Sequence, residues 1–473
     1  MKKGTIIRLI SFLICMFTVL FTITAHGTMT GKRIILFLIV TIIGSAILIL
    51  LDKWCDKGAD IDKLLSLKLK NGRALVDVIA CIIVVLLALF VRISFFSFET
   101  EDSIGYFAGW VEQFRWLGVK TSLGACLTDY SPLYTTVLTL LSLLPFKALT
   151  IVKIVPVICD FLIALAAVLI YNACKGKEAT TVGKICILFF ILLNPISVLN
   201  SAAWGQCDSA YAVSLFFGIY FLSKVKTEGG KYSDLAVLMF ALSFATKLQA
   251  VFTLPVLLFF YVAQRKKEAD KAIRLSQFVW FPVVYFVSSI PMFLCGKTLE
   301  NIFMVYVQET GEYNTSLNMR YPNFYTLVGD KVSDMVNHDG SFMFGLVTGV
   351  MVLFLFYYLF YKKELSLDLK NLLLITAITV LTLNYFLPSM HERYAYVGEI
   401  ALLIFACIYK KHILATVFTF VCTLTFYADY LTLGALSSTV PKYLVAIVRL
   451  IVLLYLITSC LGEKKENKDL QIL

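Results

Sequence analysis

Ser131-Pro-Leu-Tyr-Thr-Thr-Val-Leu-Thr-Leu-Leu-Ser-Leu-Leu-Pro145-Phe146 is an apolar run bounded by two prolines, and its placement decides how the whole chain is threaded. It is short for a bilayer crossing, which takes about 20 mostly apolar residues. Around it lie apolar runs at about 6–26, 33–51, 75–96, 149–171, 183–199, 208–223, 234–246, 250–263, 277–294, 342–361, 371–388, 396–409, 412–428 and 442–461. The chain of 473 residues is 59% hydrophobic and only 15% charged, and its mean hydropathy is +0.84. Soluble domains carry about 25% charged residues. So much apolar surface exceeds what a soluble core buries, and a helix is the segment that satisfies its own backbone in lipid. An all-α polytopic membrane protein is expected.

Charge then places 131–146. If this run does not cross and the N-terminus is inside, the inner loops hold 28 of the 42 basic residues and the outer segments 11. The richest inner loops carry Lys63, Lys68, Lys70 and Arg73, then Arg265, Lys266, Lys267, Lys271 and Arg274. If the run did cross, every later loop would invert, against the enrichment of Lys and Arg in cytoplasmic loops. The expectation is therefore 14 spans with both termini cytoplasmic, and a juxtamembrane helix at 131–146 on the outer face. Residues 1–74 contribute two extra N-terminal spans and a basic cytoplasmic loop, and 75–473 form the main membrane domain. Residues 5–25 have the hydropathy of a signal peptide, but Ala25-His26-Gly27 is a poor cleavage site and a second span follows at once, so a retained helix is expected.

The formal net charge of +11 resides largely in those short loops, so nucleic acid is not an expected partner. The 12 cysteines are scattered without a C-x-x-C pair, which favours neither a zinc site nor a disulfide framework. Cys126, Cys207 and Cys295 fall at outer positions. The chain has no Walker A, G-x-G-x-x-G or H-E-x-x-H pattern, and Asp60-Ile-Asp62 sits in an inner loop too short to belong to a nucleotide-binding domain. No cofactor is expected, and dependence on a divalent metal is left open.

On this threading the chemically capable polar residues all fall on the outer side. Glu99-Thr-Glu101-Asp102 follows a span end and leads into Tyr106, Phe107, Trp110 and Phe114. Alone it reads first as a solvated span terminus with an aromatic belt, and second as a general base held at the bilayer surface. Asp129-Tyr130-Ser131-Pro132 reads as a capped helix start, with Asp129 or Ser131 as the cap. Trp204-Gly205-Gln206-Cys207-Asp208-Ser209 joins two runs in a turn too short for a folded loop. Lys247-Leu-Gln249 is a hairpin tip whose lysine either snorkels to headgroups or meets a lipid phosphate. His391-Glu392-Arg393-Tyr394, after Pro388, places ionisable groups side by side where they are costly unless used.

Taken in order, these residues resemble the GT-C glycosyltransferases, and most closely bacterial proteins similar to the eukaryotic GPI-anchor second mannosyltransferase. That family tends to show an acidic residue after its first core span, an aspartate-tyrosine-proline-proline-leucine-tyrosine motif, W-G-Q-x-D-S, a K-x-Q tip and H-E-R-Y. Here these correspond to Asp102, Asp129 to Tyr134 with Ser131 in place of the first proline, Trp204 to Ser209, Lys247 to Gln249, and His391 to Tyr394, over roughly residues 75–430. The resemblance implies a GT-C-like bundle with outer juxtamembrane helices, in the bacterial plasma membrane. It implies a polyprenyl-phosphate sugar donor, with mannose as the family's sugar, and a glycan or lipid-linked acceptor. Asp102, with Glu101 beside it, would then be the catalytic base. Lys247, Arg393 and His391 would hold the donor phosphate, and Asp129, Tyr130, Trp204, Gln206, Asp208, Gln249, Glu392 and Tyr394 would line the substrate site. An outward site and the lack of a nucleotide-binding domain fit a lipid-linked donor independently. The competing reading is a transporter or flippase for a lipid-linked glycan, which would place its binding residues near the bilayer midplane.

Overall fold

The computed structural model describes residues 72–265, 272–312, 317–328, 338–409 and 441–462, with Leu13 and scattered positions between 411 and 422. The expected spans at 6–26 and 33–51, and most of that at 412–428, lie outside the described residues. Among the described residues all regular secondary structure is helical. The other expected runs fall on helical segments, with 183–199 broken in two.

The chain enters through α1, Gly72–Ser94, and a π-helical turn, Ser103–Ala108. It continues through α2, Gly109–Gly124, which kinks where Gly118 adopts φ +75. Next come α3, Pro132–Leu141; α4, Ala148–Lys175; and α5, Thr181–Leu192. After a break follow α6, Asp208–Glu228; α7, Gly230–Thr246; α8, Leu254–Arg265; and α9, Trp280–Leu294. Three short helices, α10, Leu299–Phe303, α11, Val305–Glu312, and α12, Phe324–Val328, lead to α13, His338–Lys362. The bundle closes with α14, Leu369–Phe386; α15, Tyr396–Ile408; and α16, Lys442–Leu461.

Five helices among the described residues are long and apolar enough to cross a membrane, or six if the bent pair Gly183–Leu192 and Pro195–Trp204 counts as one span. Shorter apolar helices accompany them. Unlike a soluble bundle, this one is apolar both inside and outside. Every residue of α14 from Asn371 to Tyr385 is buried, whereas α9, α13 and α16 turn Val287, Leu294, Met351, Phe354 and Ile451 outward. Contiguous exposed apolar faces of this size belong against lipid. The chain is a multi-pass helical membrane protein.

The run 183–199, expected as one helix, bends by 44°. Pro195 has no N–H to continue the α5 ladder, and the Asn194 side chain caps the restart by accepting from the Ile196 N–H at 2.9 Å. Helix α3 is ten residues long, or about 15 Å at 1.5 Å per residue. That is half of a hydrocarbon core, in keeping with the expectation that 131–146 does not cross. Ser131, not Asp129, is its cap: the Ser131 hydroxyl accepts from the Tyr134 N–H, with Pro132 in the first turn.

Two ends of the bundle are distinct. At one end the basic connectors meet: the Lys175 and Lys370 ammonium groups both lie over the Tyr409 ring, and Lys363 donates to the Leu461 carbonyl. At the other end lie the close of α1, the start of α6, the close of α7 and the turn between α14 and α15.

Candidate functional site

The second end gathers the motifs. Lys153, inside α4, donates from its buried ammonium to the Phe95 carbonyl at 2.8 Å and also to the Phe98 carbonyl. A cation there sits against the carbonyls of the turn that follows α1, near the negative end of the helix dipole. Thr100 and Ser103 then fasten the following turn reciprocally: the Thr100 N–H donates to the Ser103 hydroxyl at 2.9 Å, and the Ser103 N–H to the Thr100 hydroxyl at 3.1 Å. Asp102 flanks the π-helical turn without capping it, so its carboxylate is turned to other partners. Glu101, next to it, is exposed.

Those partners come from the Trp204 turn. Gly205 sits at φ +78, the left-handed region, and so reverses the chain between Trp204 and Gln206. Trp204 Nε1–H and Gln206 Nε2–H both donate to Asp102 Oδ2, each at 2.9 Å. Two fixed donors on one oxygen hold the carboxylate in a single orientation. The Arg393 guanidinium stands 3.9 Å from the same oxygen and 5.5 Å from the Trp204 ring centroid. The indole therefore orients the carboxylate with its edge and the cation with its face.

A second ion pair completes the floor. Lys247 is in extended conformation between α7 and a 3₁₀ segment, Leu248–Thr253, so its side chain leaves the helix path. Its ammonium lies 2.6 Å from Asp208 Oδ1, and both side chains are buried. Asn200 Nδ2–H donates to Asp208 Oδ2 at 2.9 Å, and the ammonium lies 5.4 Å from the Tyr130 ring centroid. Burial is the largest influence and works against the Lys247 charge, but the Asp208 carboxylate and the other groups around it together outweigh burial and hold the ammonium pKa above its ordinary value. Ser131 donates to the Thr246 carbonyl at 2.7 Å, which brings Asp129 and Tyr130 to the Lys247 tip. Asp129 is exposed there, within electrostatic reach of Lys247 and Arg393.

The remaining predicted residues border this centre. Arg393 is within electrostatic reach of Tyr130, Tyr394, Asp208 and Asp102. His391 Nδ1 lies 3.5 Å from Glu392 Oε2, and its ring meets Tyr394 with centroids 5.1 Å apart. Burial holds the His391 imidazole below its ordinary value, so near pH 7 it is a neutral hydrogen-bonding group rather than a third cation. Gln249 Nε2–H donates to Glu309 Oε1 at 3.0 Å.

Several supporting residues are not among the sequence motifs. Arg92, on α1, lies 2.8 Å from Asp160 on α4, donates to the Leu192 carbonyl at 2.6 Å, and so clamps α1 and α4 to the end of α5 just before the break. Arg449, on α16, pairs with Glu399 at 3.1 Å and lies 4.5 Å from the Tyr321 ring centroid. The neighbouring Met319 and Arg320 bridge to His391. These are charges isolated in apolar runs, and that isolation was the available signal: an unpaired charge in lipid is too costly to occur without a buried partner. Glu309 had no comparable signal, because it lies in the long segment 295–341 without a motif around it.

Among the described residues no group of three or more His, Cys, Asp or Glu side chains is arranged to hold a metal ion. The arrangement offers one oriented carboxylate, two cations and a set of amide and aromatic groups, which suits proton removal beside an anionic group. No family model matches the chain, and no curated protein matches it.

Proposed function

We propose that this chain is an integral membrane glycosyltransferase of the GT-C kind, which moves a sugar from a polyprenyl-phosphate donor to a glycan or lipid-linked acceptor at the outer membrane face. The observation that carries this reading is the Asp102 carboxylate, doubly held by Trp204 and Gln206 and standing 3.9 Å from the Arg393 guanidinium. A base and a cation so close together fit a reaction that makes a nucleophile and an anionic leaving group at once.

In this mechanism the acceptor hydroxyl loses its proton to Asp102 as its oxygen attacks the anomeric carbon. The new C–O bond forms as the bond from that carbon to the phosphate oxygen breaks, and polyprenyl phosphate leaves with the electron pair. The leaving group is already stable as an anion, so a second carboxylic acid of the glycosidase kind is dispensable. Arg393 and Lys247 meet the charge that develops on the phosphate. Arg393 is fixed on the Trp204 face, and Lys247 keeps further ammonium hydrogens beyond the one directed at Asp208. A single displacement inverts the anomeric configuration. Mannose is the sugar we assign to the donor.

The full architecture in this reading is a GT-C bundle of 14 spans with both termini cytoplasmic, the site outward and α3 lying along the outer surface. The charge distribution over the loops supports it. Clustering of the polar residues at one end of the bundle favours an enzyme over a transporter, whose binding groups belong near the midplane. The test is incubation of the purified chain with a panel of polyprenyl-phosphate sugars and scoring of hydrolysis or transfer. Turnover of one of them supports the reading. Movement of a lipid-linked glycan across vesicles, with no turnover of any donor, overturns it.

A further inference from the structure

Glu309 belongs to none of the sequence motifs, yet it is built into the same end of the bundle. Its helix, α11, is anchored from below: the Tyr306 hydroxyl donates to the Phe244 carbonyl at 2.6 Å, and the Tyr306 ring packs edge-on against Phe244 and Tyr285 at centroid distances of 5.3 and 5.5 Å. One helical turn later this anchor presents Glu309 to Gln249. A carboxylate only accepts hydrogen bonds, so the contact between them fixes the Gln249 amide with its nitrogen toward Glu309. The carboxamide oxygen faces the other way. Gln249 is 5% exposed, and its Oε1 is buried without a hydrogen-bond partner. A buried acceptor left in that state has lost its hydration without a replacement, which a ligand supplying a donor would restore.

The pair therefore offers acceptors and asks for O–H donors. Glu309 is within electrostatic reach of Lys247, Asp129 and Arg393, so the offer is made beside the groups assigned to the donor phosphate. We infer that Gln249 and Glu309 form a fork that recognises neighbouring hydroxyls of a sugar ring and thereby sets which sugar the site accepts. The inference rests on the glycosyl-transfer reading for the nature of the ligand. The hydroxyls belong either to the donor sugar or to the acceptor.

The test is saturation-transfer NMR on the full chain in detergent, with methyl α-mannoside, methyl α-glucoside, methyl α-galactoside and their monodeoxy analogues as probes. The wild type is expected to bind one of the parent glycosides and to lose about 10-fold in affinity when one hydroxyl is removed. Glu309→Ala is expected to weaken the parent about 10- to 100-fold while its deoxy analogue is hardly affected, and Glu309→Gln to fall between. The deoxy series is read on wild-type protein, so a variant that fails to fold does not remove the test. Unchanged glycoside affinity in folded Glu309→Ala, or equal binding of every deoxy analogue by the wild type, overturns the inference. Where the wild type turns over a polyprenyl-phosphate sugar, a rise in donor KM in Glu309→Gln assigns the fork to the donor, and a rise in acceptor KM assigns it to the acceptor. Glycoside binding that depends on Glu309 without turnover of any donor would retain the fork and remove the transfer reading.

Discussion

Replacing Asp208 by asparagine would strip the counter-charge from an ammonium only 3% exposed. At the 2.6 Å separation seen here, two unit charges attract by about 6 kcal/mol at an effective dielectric of about 20. Desolvation of both groups takes much of that back, and removal of one partner from a buried pair typically costs about 3–5 kcal/mol, because the other charge is left uncompensated. Asp208→Asn and Lys247→Met should each destabilise the protein by that amount. The double variant removes both charges and should cost less than about 2 kcal/mol. The cycle is measured by denaturant unfolding in mixed micelles, followed by tryptophan fluorescence. A double variant whose loss equals the sum of the two single losses within about 0.5 kcal/mol would refute the pairing. The refolded double variant should still lack transfer, which separates the stabilising role of the pair from the phosphate-binding role proposed for Lys247.

Gly205→Ala should lower transfer by on the order of 10-fold: the left-handed backbone costs about 1–2 kcal/mol for an L-residue, and the added Cβ would lie 3.2 Å from Val152 Cγ1, so the Trp204–Gln206 turn shifts off Asp102. Turnover with unchanged kcat would show that this turn does not position the base. His391 has a folded pKa lowered by burial below its ordinary 6.5, so its contribution to stability is present above pH 6.5 and lost as pH falls through the folded value; His391→Gln should flatten the part of an unfolding profile that lies below pH 6.5, and an unaltered profile would count against it. Reporter fusions at Lys177 and Lys226 should both read cytoplasmic, and an external signal at either would overturn the threading.

The legible parts of the fold were those governed by local physics. Apolar length marked the helices, and Pro132 marked the start of α3, with the cap open between Asp129 and Ser131 until the structure showed Ser131. The break at Asn194–Pro195 was written in the chain but lay inside an unbroken apolar run, where hydropathy outweighs a single proline in a window average. Asp102, Trp204, Gln206, Lys247 and Arg393 stood out because polar groups at a membrane boundary need a reason. Their mutual contacts did not, since Asp102 and Trp204 are joined only by the packing of α1 against the segment after α5. Lys153, Arg92 and Arg449 were visible as isolated charges, but their partners are carbonyls or carboxylates far along the chain. Glu309 was one polar residue among many in its segment, and only the anchoring of Tyr306 determines which way it points.

The most direct test of the central claim compares Asp102→Asn with Glu101→Gln in the transfer assay, using whichever polyprenyl-phosphate sugar the wild type turns over. Asp102→Asn keeps the shape that Trp204 and Gln206 enclose but removes the base. Its turnover should fall by about 10²- to 10⁴-fold with the protein folded and donor still bound, while Glu101→Gln, at an exposed position, stays active. An active Asp102→Asn beside an inactive Glu101→Gln would move the base to Glu101, and full transfer by both would contradict the account.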